Sequence, residues 1–203
     1  MNREEIVVLV CLWIIVFSGL YINVTRKAEP ANKKEKSLIW FRILSPLALI
    51  LSLIFYYSEI GSLFPDDASG RDLMQQRPFS TSTSTLTYTG ASLFFLGMAL
   101  RWIAILSLGK SFTVQVAVKE DQQLKTNGVF RYIRHPSYTG LLFYNIGLGL
   151  LMFNWISLLV LFILPSIAVL NRIAYEEKIL NSHFGKSYSS YSAVSKKLIP
   201  WLY

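Results

Sequence analysis

Four stretches of the chain are almost continuously apolar, and polar links separate them. The first, Ile6 to Val24, breaks only at Ser18, Gly19 and Asn23 and contains no charge. At ~1.5 Å of rise per residue, a helix over this stretch reaches across a ~30 Å hydrocarbon layer. A cleavable leader is the competing reading, but the charge order opposes it. Glu4 and Glu5 precede the run and a basic segment follows it, the reverse of a signal peptide. The second run goes from Leu38 to about Ile60, with Arg42 and Pro46 near its start. The third, Tyr88 to Leu108, carries one charge, Arg101, which can snorkel to the nearer interface. The fourth, Tyr138 to about Leu170, has no charge, but Asn154 sits in its middle and Pro165 in its second half. One helix of that length would overshoot a bilayer by ~15 Å, so two helices turning at Phe153-Asn154-Trp155 fit better. The pattern predicts an all-α polytopic membrane protein with five spans, the last two forming a helical hairpin. Of the links, Arg26 to Ser37 is basic and contains Pro30. Phe64 to Thr87 is rich in Asp, Ser and Thr and reads as a solvated loop.

Composition agrees. Hydrophobic residues make up 53% of the 203, charged residues 16%, and mean hydropathy is +0.42. A soluble domain carries roughly 25% charged residues, so this chain cannot coat a globule in water. Disorder, collagen, coiled coil and a secreted disulfide scaffold are excluded. Cys11, the only cysteine, forms no internal bridge and builds no zinc site alone, and no metal is expected. A net charge of +8 with a pI near 9.6 would point to nucleic acid in a soluble protein. Charge placement points elsewhere. Arg26, Lys27, Lys33, Lys34 and Lys36 fill the first link, and Lys110, Lys119, Lys125, Arg131 and Arg134 lie between the third and fourth spans. Lys178, Lys186, Lys196 and Lys197 follow the fifth span, whereas the opposite side holds only Arg3, Arg71 and Arg77. The positive-inside rule then predicts an outside N-terminus and a cytoplasmic C-terminus. That topology fits the plasma membrane of a prokaryote or the endoplasmic reticulum of a eukaryote. Membrane lipids, not nucleic acid, are the expected partners of the basic surface.

Polar chemistry collects on the cytoplasmic side in two stretches, Gly109 to His135 and Arg172 to Tyr191, which flank the hairpin and are therefore brought together by it. In the first, Asn127-Gly128 is a turn signal and Pro136 suits the first turn of the fourth helix. On composition alone Arg131 and Arg134 read more readily as headgroup anchors, and His135 as an interfacial histidine satisfied by backbone. In the second, Arg172 and Glu176 share one helix face, with Glu177 adjacent. A surface ion pair at a helix end is worth only ~0.3–0.5 kcal/mol. Ionisable groups buried beside a membrane are usually functional, and the sequence alone does not choose between the two readings.

The run Gly128-Val129-Phe130-Arg131-Tyr132-Ile133-Arg134-His135-Pro136-Ser137-Tyr138-Thr139-Gly140 resembles the core motif of the isoprenylcysteine carboxyl methyltransferase family. The resemblance extends to Arg172, Glu176 and Glu177, to His183-Phe184-Gly185-Lys186-Ser187-Tyr188, and to Tyr191 and Leu198-Ile199-Pro200. It covers about the last 95 residues, the first two spans matching only in hydropathy, and the chain then divides into two parts. Residues 1–108 would be three N-terminal spans with their loops. Residues 109–203 would be a methyltransferase core made of a cofactor-binding segment, the hairpin and a C-terminal helix.

The resemblance implies S-adenosylmethionine as cofactor and methyl esterification of a lipophilic carboxylate, as on a C-terminal isoprenylcysteine, with the substrate entering from the bilayer. Cofactor contacts would fall on Gln115, Gln122, Gln123, Leu124, Lys125, Phe130, His135, Pro136, Ser137, Tyr138 and Glu176. Arg172 would face the substrate carboxylate, and Arg172, Glu176 and His135 would form the catalytic set. Two positions depart from the family pattern: Gln122 stands where relatives commonly have histidine, and Phe130 where they often have tyrosine. The residue types suit this assignment. Glu176 matches a cationic part of the cofactor, Tyr138 and Phe130 offer an aromatic wall, and amides at the start of the fourth helix suit a carboxylate. No Gly-x-Gly-x-x-Gly occurs, so the pocket is not the doubly wound kind. The rival readings are a phospholipid or amine N-methyltransferase, a membrane reductase using NADPH, and a non-enzymatic transporter or scaffold.

Overall fold

In the computed structural model, whose described residues are 3–25, 36–57, 83–109, 112 and 123–200, the apolar runs are helical. Helix α1 spans Arg3–Thr25, α2 Lys36–Tyr57, α3 Thr83–Leu108, α4 Pro136–Leu151, α5 Trp155–Phe184 and α6 Lys186–Val194. A 3₁₀ turn, Gly128–Arg131, precedes α4. Among the described residues the one strand-like feature is a parallel bridge between Ile133 and Lys196. Ser84–Leu108 and Trp155–Phe184 are long and apolar enough to cross a membrane, and Ile6–Ile22 and Ile43–Tyr56 are shorter apolar helices. Their outward faces are apolar too: Phe17 is 62% exposed, Leu96 65% and Leu106 64%. Such faces are unfavourable in water and suit lipid.

Small residues set the helix spacing. Gly90 and Gly97 on α3 face Gly147 and Gly140 on the antiparallel α4. A Cβ added at Gly97 would lie 2.6 Å from the Gly140 carbonyl oxygen and 2.5 Å from the Tyr144 nitrogen. The two backbones are therefore in direct contact, as small residues allow between helices in lipid. At the far end of α4, a Cβ on Gly149 would lie 2.8 Å from the Leu158 Cα of α5.

The hairpin turns where the sequence places it. Phe153 takes a left-handed φ of 49°, and Asn154 caps α5, its side-chain oxygen accepting from the Ile156 and Ser157 amides at 3.0 Å each. Its amide group donates to the Phe55 carbonyl of α2, and the Ser157 hydroxyl donates to the Ser52 carbonyl. These bonds tie α5 to α2. Val8, Cys11, Ala48, Phe94, Met98, Leu148, Leu151, Met152 and Leu161 form the central apolar core, drawing on α1 to α5.

Helix α5 has 30 residues and is therefore about 45 Å long at ~1.5 Å per residue. Its apolar part ends near Leu170, but the helix does not. Residues from Arg172 to Phe184 continue the same helix beyond the apolar part. A second, smaller core of Leu141, Val169, Ile173 and Leu198 lies where that extension meets the start of α4. Gly185, at φ 52°, ends α5 and lets the chain turn back into α6.

Candidate active site

The start of α4 is built by the C-terminal segment as much as by its own sequence. The Arg134 amide donates to the Lys196 carbonyl (2.7 Å), that of His135 to Lys197 (3.1 Å), and that of Lys196 to Tyr132 (3.0 Å). The Thr139 hydroxyl donates to the Leu198 carbonyl at 2.7 Å, and Tyr191 of α6 donates to the Phe130 carbonyl at 2.6 Å. Helix α6 and the residues after it thus cover the 3₁₀ turn and the first turn of α4.

Two polar groupings lie under this cover. In the first, the Tyr138 hydroxyl donates to Glu176 Oε2 at 2.9 Å and accepts from Arg172 Nε at 3.3 Å. Tyr138 therefore bridges the two α5 residues that the sequence places on one face. Arg172 is 4% exposed and His135 5%, so neither faces open water. The rings of His135 and Tyr138 lie 5.8 Å apart, tilted by 31°. In the second grouping, Glu177 receives three cationic or donor groups. Arg134 Nε approaches Oε1 at 2.9 Å, His135 Nε2 the same oxygen at 3.4 Å, and Lys197 Nζ approaches Oε2 at 3.5 Å. Arg134 also donates to the carbonyls of Ser192 (3.0 Å) and Ser195.

Burial of the Glu177 carboxyl favours its neutral form. The hydrogen bonds and charges of His135 and Arg134 outweigh burial and lower its pKa to about 2. Glu177 is ionised at neutral pH and accepts hydrogen bonds only. Tyr191 is pushed up to about 12 by burial, and Tyr188 is pushed up by burial and by Glu177, so both hydroxyls stay protonated.

The predicted site residues divide into three groups. His135, Pro136, Ser137, Tyr138, Arg172 and Glu176 converge at the start of α4. Phe130 is buried in the 3₁₀ turn, and Gln123, Leu124 and Lys125 lie in the irregular stretch leading to it. Gln115 and Gln122 lie outside the described residues, as do most of the links between the first three helices. The helix start offers an anion less than the sequence implies. Pro136 has no N–H, and the amides of Tyr138 and Thr139 both donate to the His135 carbonyl, so among the described residues the Ser137 amide of that turn has no backbone acceptor. Arg101 of α3 instead brings its Nη1 to the Ser137 hydroxyl (3.2 Å) and carbonyl (3.3 Å).

Three residues gain a place that sequence reasoning did not give them. Arg134 reads as a headgroup anchor, yet its side chain is turned inward and only 9% exposed, paired with Glu177. Arg131, exposed and stacked near the Tyr132 ring, fits the anchor reading instead. Glu177 and Lys197 enter because a two-residue pairing with the C-terminal segment brings them in. In the sequence Glu177 stands beside Glu176 within the resembled motif with nothing to mark a role of its own, and Lys197 reads as one more basic residue after the fifth span.

Comparison with known proteins converges on the same region. The sequence profile of the isoprenylcysteine carboxyl methyltransferase (ICMT) family matches residues 90–182, which run from the α3 glycines past Glu177. The chain is 31% identical over 158 residues to protein-S-isoprenylcysteine O-methyltransferase A of Arabidopsis thaliana, covering 77% of this chain and 73% of that protein. It is 30% identical over 178 residues to the protein-S-isoprenylcysteine O-methyltransferase of Saccharomyces cerevisiae, covering 87% and 72%. The fold is similar to a solved structure of the eukaryotic intramembrane Ras methyltransferase ICMT, with a TM-score of 0.61 and 28% identity over 77% of this chain. The chain spans about half the length of that solved protein, 52%. With motif, helix pairing and relatives in agreement, the chain belongs to the isoprenylcysteine carboxyl methyltransferase family, a family of integral membrane methyltransferases.

Proposed function

We propose that the chain methylates the carboxylate of a lipophilic substrate, a C-terminal isoprenylcysteine by likeness to its relatives, using S-adenosylmethionine as donor. The observation that carries this reading is the Arg172–Tyr138–Glu176 bridge at the mouth of the hairpin, with Arg172 buried and the other two half-buried. The donor set there fits the cofactor's parts. The Glu176 carboxylate suits a cationic group, the Ser137 amide beside Arg101 suits a carboxylate, and the His135 and Tyr138 rings suit a ring or sulfonium. Gln115, Gln122 to Lys125 and Phe130 complete the binding segment in this reading. When bound, S-adenosylmethionine supplies an electrophilic methyl group.

The protein's own task is then modest. A C-terminal carboxyl has a pKa of roughly 3.5 and is already ionised at pH 7, so no residue needs to act as a general base. Arg172 orients that carboxylate. Its Nε bond to Tyr138 fixes the plane of the guanidinium, and a planar fork holds a carboxylate in one direction. Alignment and exclusion of water supply the acceleration. The C-terminal segment over the start of α4 provides that exclusion. We place the N-terminus outside and this site on the cytoplasmic side, as the Lys and Arg distribution requires. The acyl or prenyl tail enters laterally from the bilayer, where the helix faces are apolar.

Calorimetry on the detergent-solubilised protein tests the reading. S-adenosylmethionine should bind and NADPH should not. Binding of NADPH alone would overturn it in favour of a reductase.

A further inference from the structure

The two ring nitrogens of His135 have different surroundings, and the difference follows from Glu177. Nε2 points at Glu177 Oε1 at 3.4 Å. An ionised carboxylate only accepts, so Nε2 must carry a hydrogen. Nδ1 has no such partner. His135 occupies the N-cap position of α4 yet makes no side-chain cap, and no hydrogen bond reaches Nδ1 among the described residues. In a neutral imidazole, a hydrogen fixed on one nitrogen leaves a lone pair on the other.

We propose that Glu177 is a positioning residue that locks His135 as the Nε2–H tautomer. Nδ1 is thereby presented as a bare acceptor for a hydrogen-bond donor of the methyl donor, its ammonium or a ribose hydroxyl. The proposal rests on the methyltransferase reading only for the identity of the ligand, because the tautomer is a property of the protein alone. Among the described residues, charged or titratable groups face Glu177 from each element packed against it. Arg134 and His135 come from the segment before α4, Lys197 from the C-terminal segment, Tyr188 from α6, and Glu176 lies beside it on α5. Arg134 shares the same carboxylate oxygen and holds it in place by its further bonds to the Ser192 and Ser195 carbonyls. Lys197 occupies the other oxygen. Oε1 therefore stays turned towards His135.

The chain has two histidines, so nitrogen NMR on ¹⁵N-histidine-labelled protein gives a spectrum of two rings, and His183→Gln assigns them. His183 is exposed on the outer part of α5 and serves as an internal solvent reference. Without any ligand and above neutral pH, His135 should show protonated Nε2 and unprotonated Nδ1. Glu177→Met should bring in the other tautomer. Arg134→Met, which removes the competing cation but leaves the carboxylate, should keep Nε2–H. S-adenosylmethionine should move the Nδ1 resonance of the wild type and bind about five- to tenfold more weakly to Glu177→Met, the effect of one lost hydrogen bond. If the wild-type protein shows protonated Nδ1, the proposal is overturned, whether or not any variant folds. An unchanged Nε2–H tautomer in folded Glu177→Met would also overturn it. If the tautomer is as proposed but S-adenosylmethionine does not bind the wild type, the functional reading fails and the positioning role of Glu177 stands.

Discussion

The two ends of the α4–α5 hairpin are made by the same two helices and are built on opposite principles. At the turn, one uncharged residue does most of the work. Asn154 caps α5 and reaches across to α2, and Gly149 lets the helices touch. At the open end no short loop joins the helices, and polar side chains meet instead. Tyr138 bridges Arg172 and Glu176, and Glu177 gathers Arg134, His135 and Lys197. The closed end can be satisfied once by local hydrogen bonds and then left alone. The open end keeps ionisable groups, Arg172 and His135 among them buried, in a place where apolar packing is often no less stable and where such groups are usually functional.

Substitutions at the two ends should separate activity from stability. The largest effect is expected at the open end. Arg172→Ala or Glu176→Ala, in protein that still melts cooperatively in detergent, should lower turnover at least ~100-fold, since small misplacements at a reacting centre already cost that much. Near-normal turnover in either would remove the asymmetry. At the closed end, Gly149→Ala drives a methyl group against the Leu158 backbone and should lower stability by about 1–3 kcal/mol. The activity of the folded fraction should be preserved, as read by thermal melting alongside specific activity. Asn154→Ala should cost about 1 kcal/mol through the lost cap, again with unchanged specific activity.

Acid should act only on the open end. The folded pKa of Glu177 lies near 2, below the ordinary 4.5, so its contribution to stability is fully present above about 4.5. It is lost as the pH falls from 4.5 towards 2. Melting temperature should therefore decline across that window in the wild type and decline less in Glu177→Gln. Asn154→Ala should follow the wild-type pH dependence.

The closed end was legible in the sequence because its causes are local. A polar Asn154 in the middle of an uncharged apolar run of excess length can be little other than a turn and a cap. The open end was legible only in part. His135, Tyr138, Arg172 and Glu176 stand out because they adjoin long uncharged runs and the motif is specific. Glu177 does not, because adjacent carboxylates on a helix point in different directions and only the packed partners show which is used. Arg134 could not be distinguished from a headgroup anchor until the Ile133–Lys196 pairing was seen to bring the C-terminal segment over it. Such a pairing is long-range and only a bridge long, so it leaves no periodic trace in the sequence. The glycine contacts between α3 and α4 were likewise hidden, since each helix alone reads as an ordinary apolar run.

The central claim is that the open end delivers a methyl group to a carboxylate. The most direct measurement gives the solubilised protein methyl-labelled S-adenosylmethionine and an S-prenylated cysteine with a free carboxylate, and follows base-labile methyl ester. The account predicts saturable ester formation that disappears in Arg172→Ala and Glu176→Ala but persists in Asn154→Ala. Label that appears only on amines or lipid headgroups, or ester formation that survives both open-end substitutions, would contradict it.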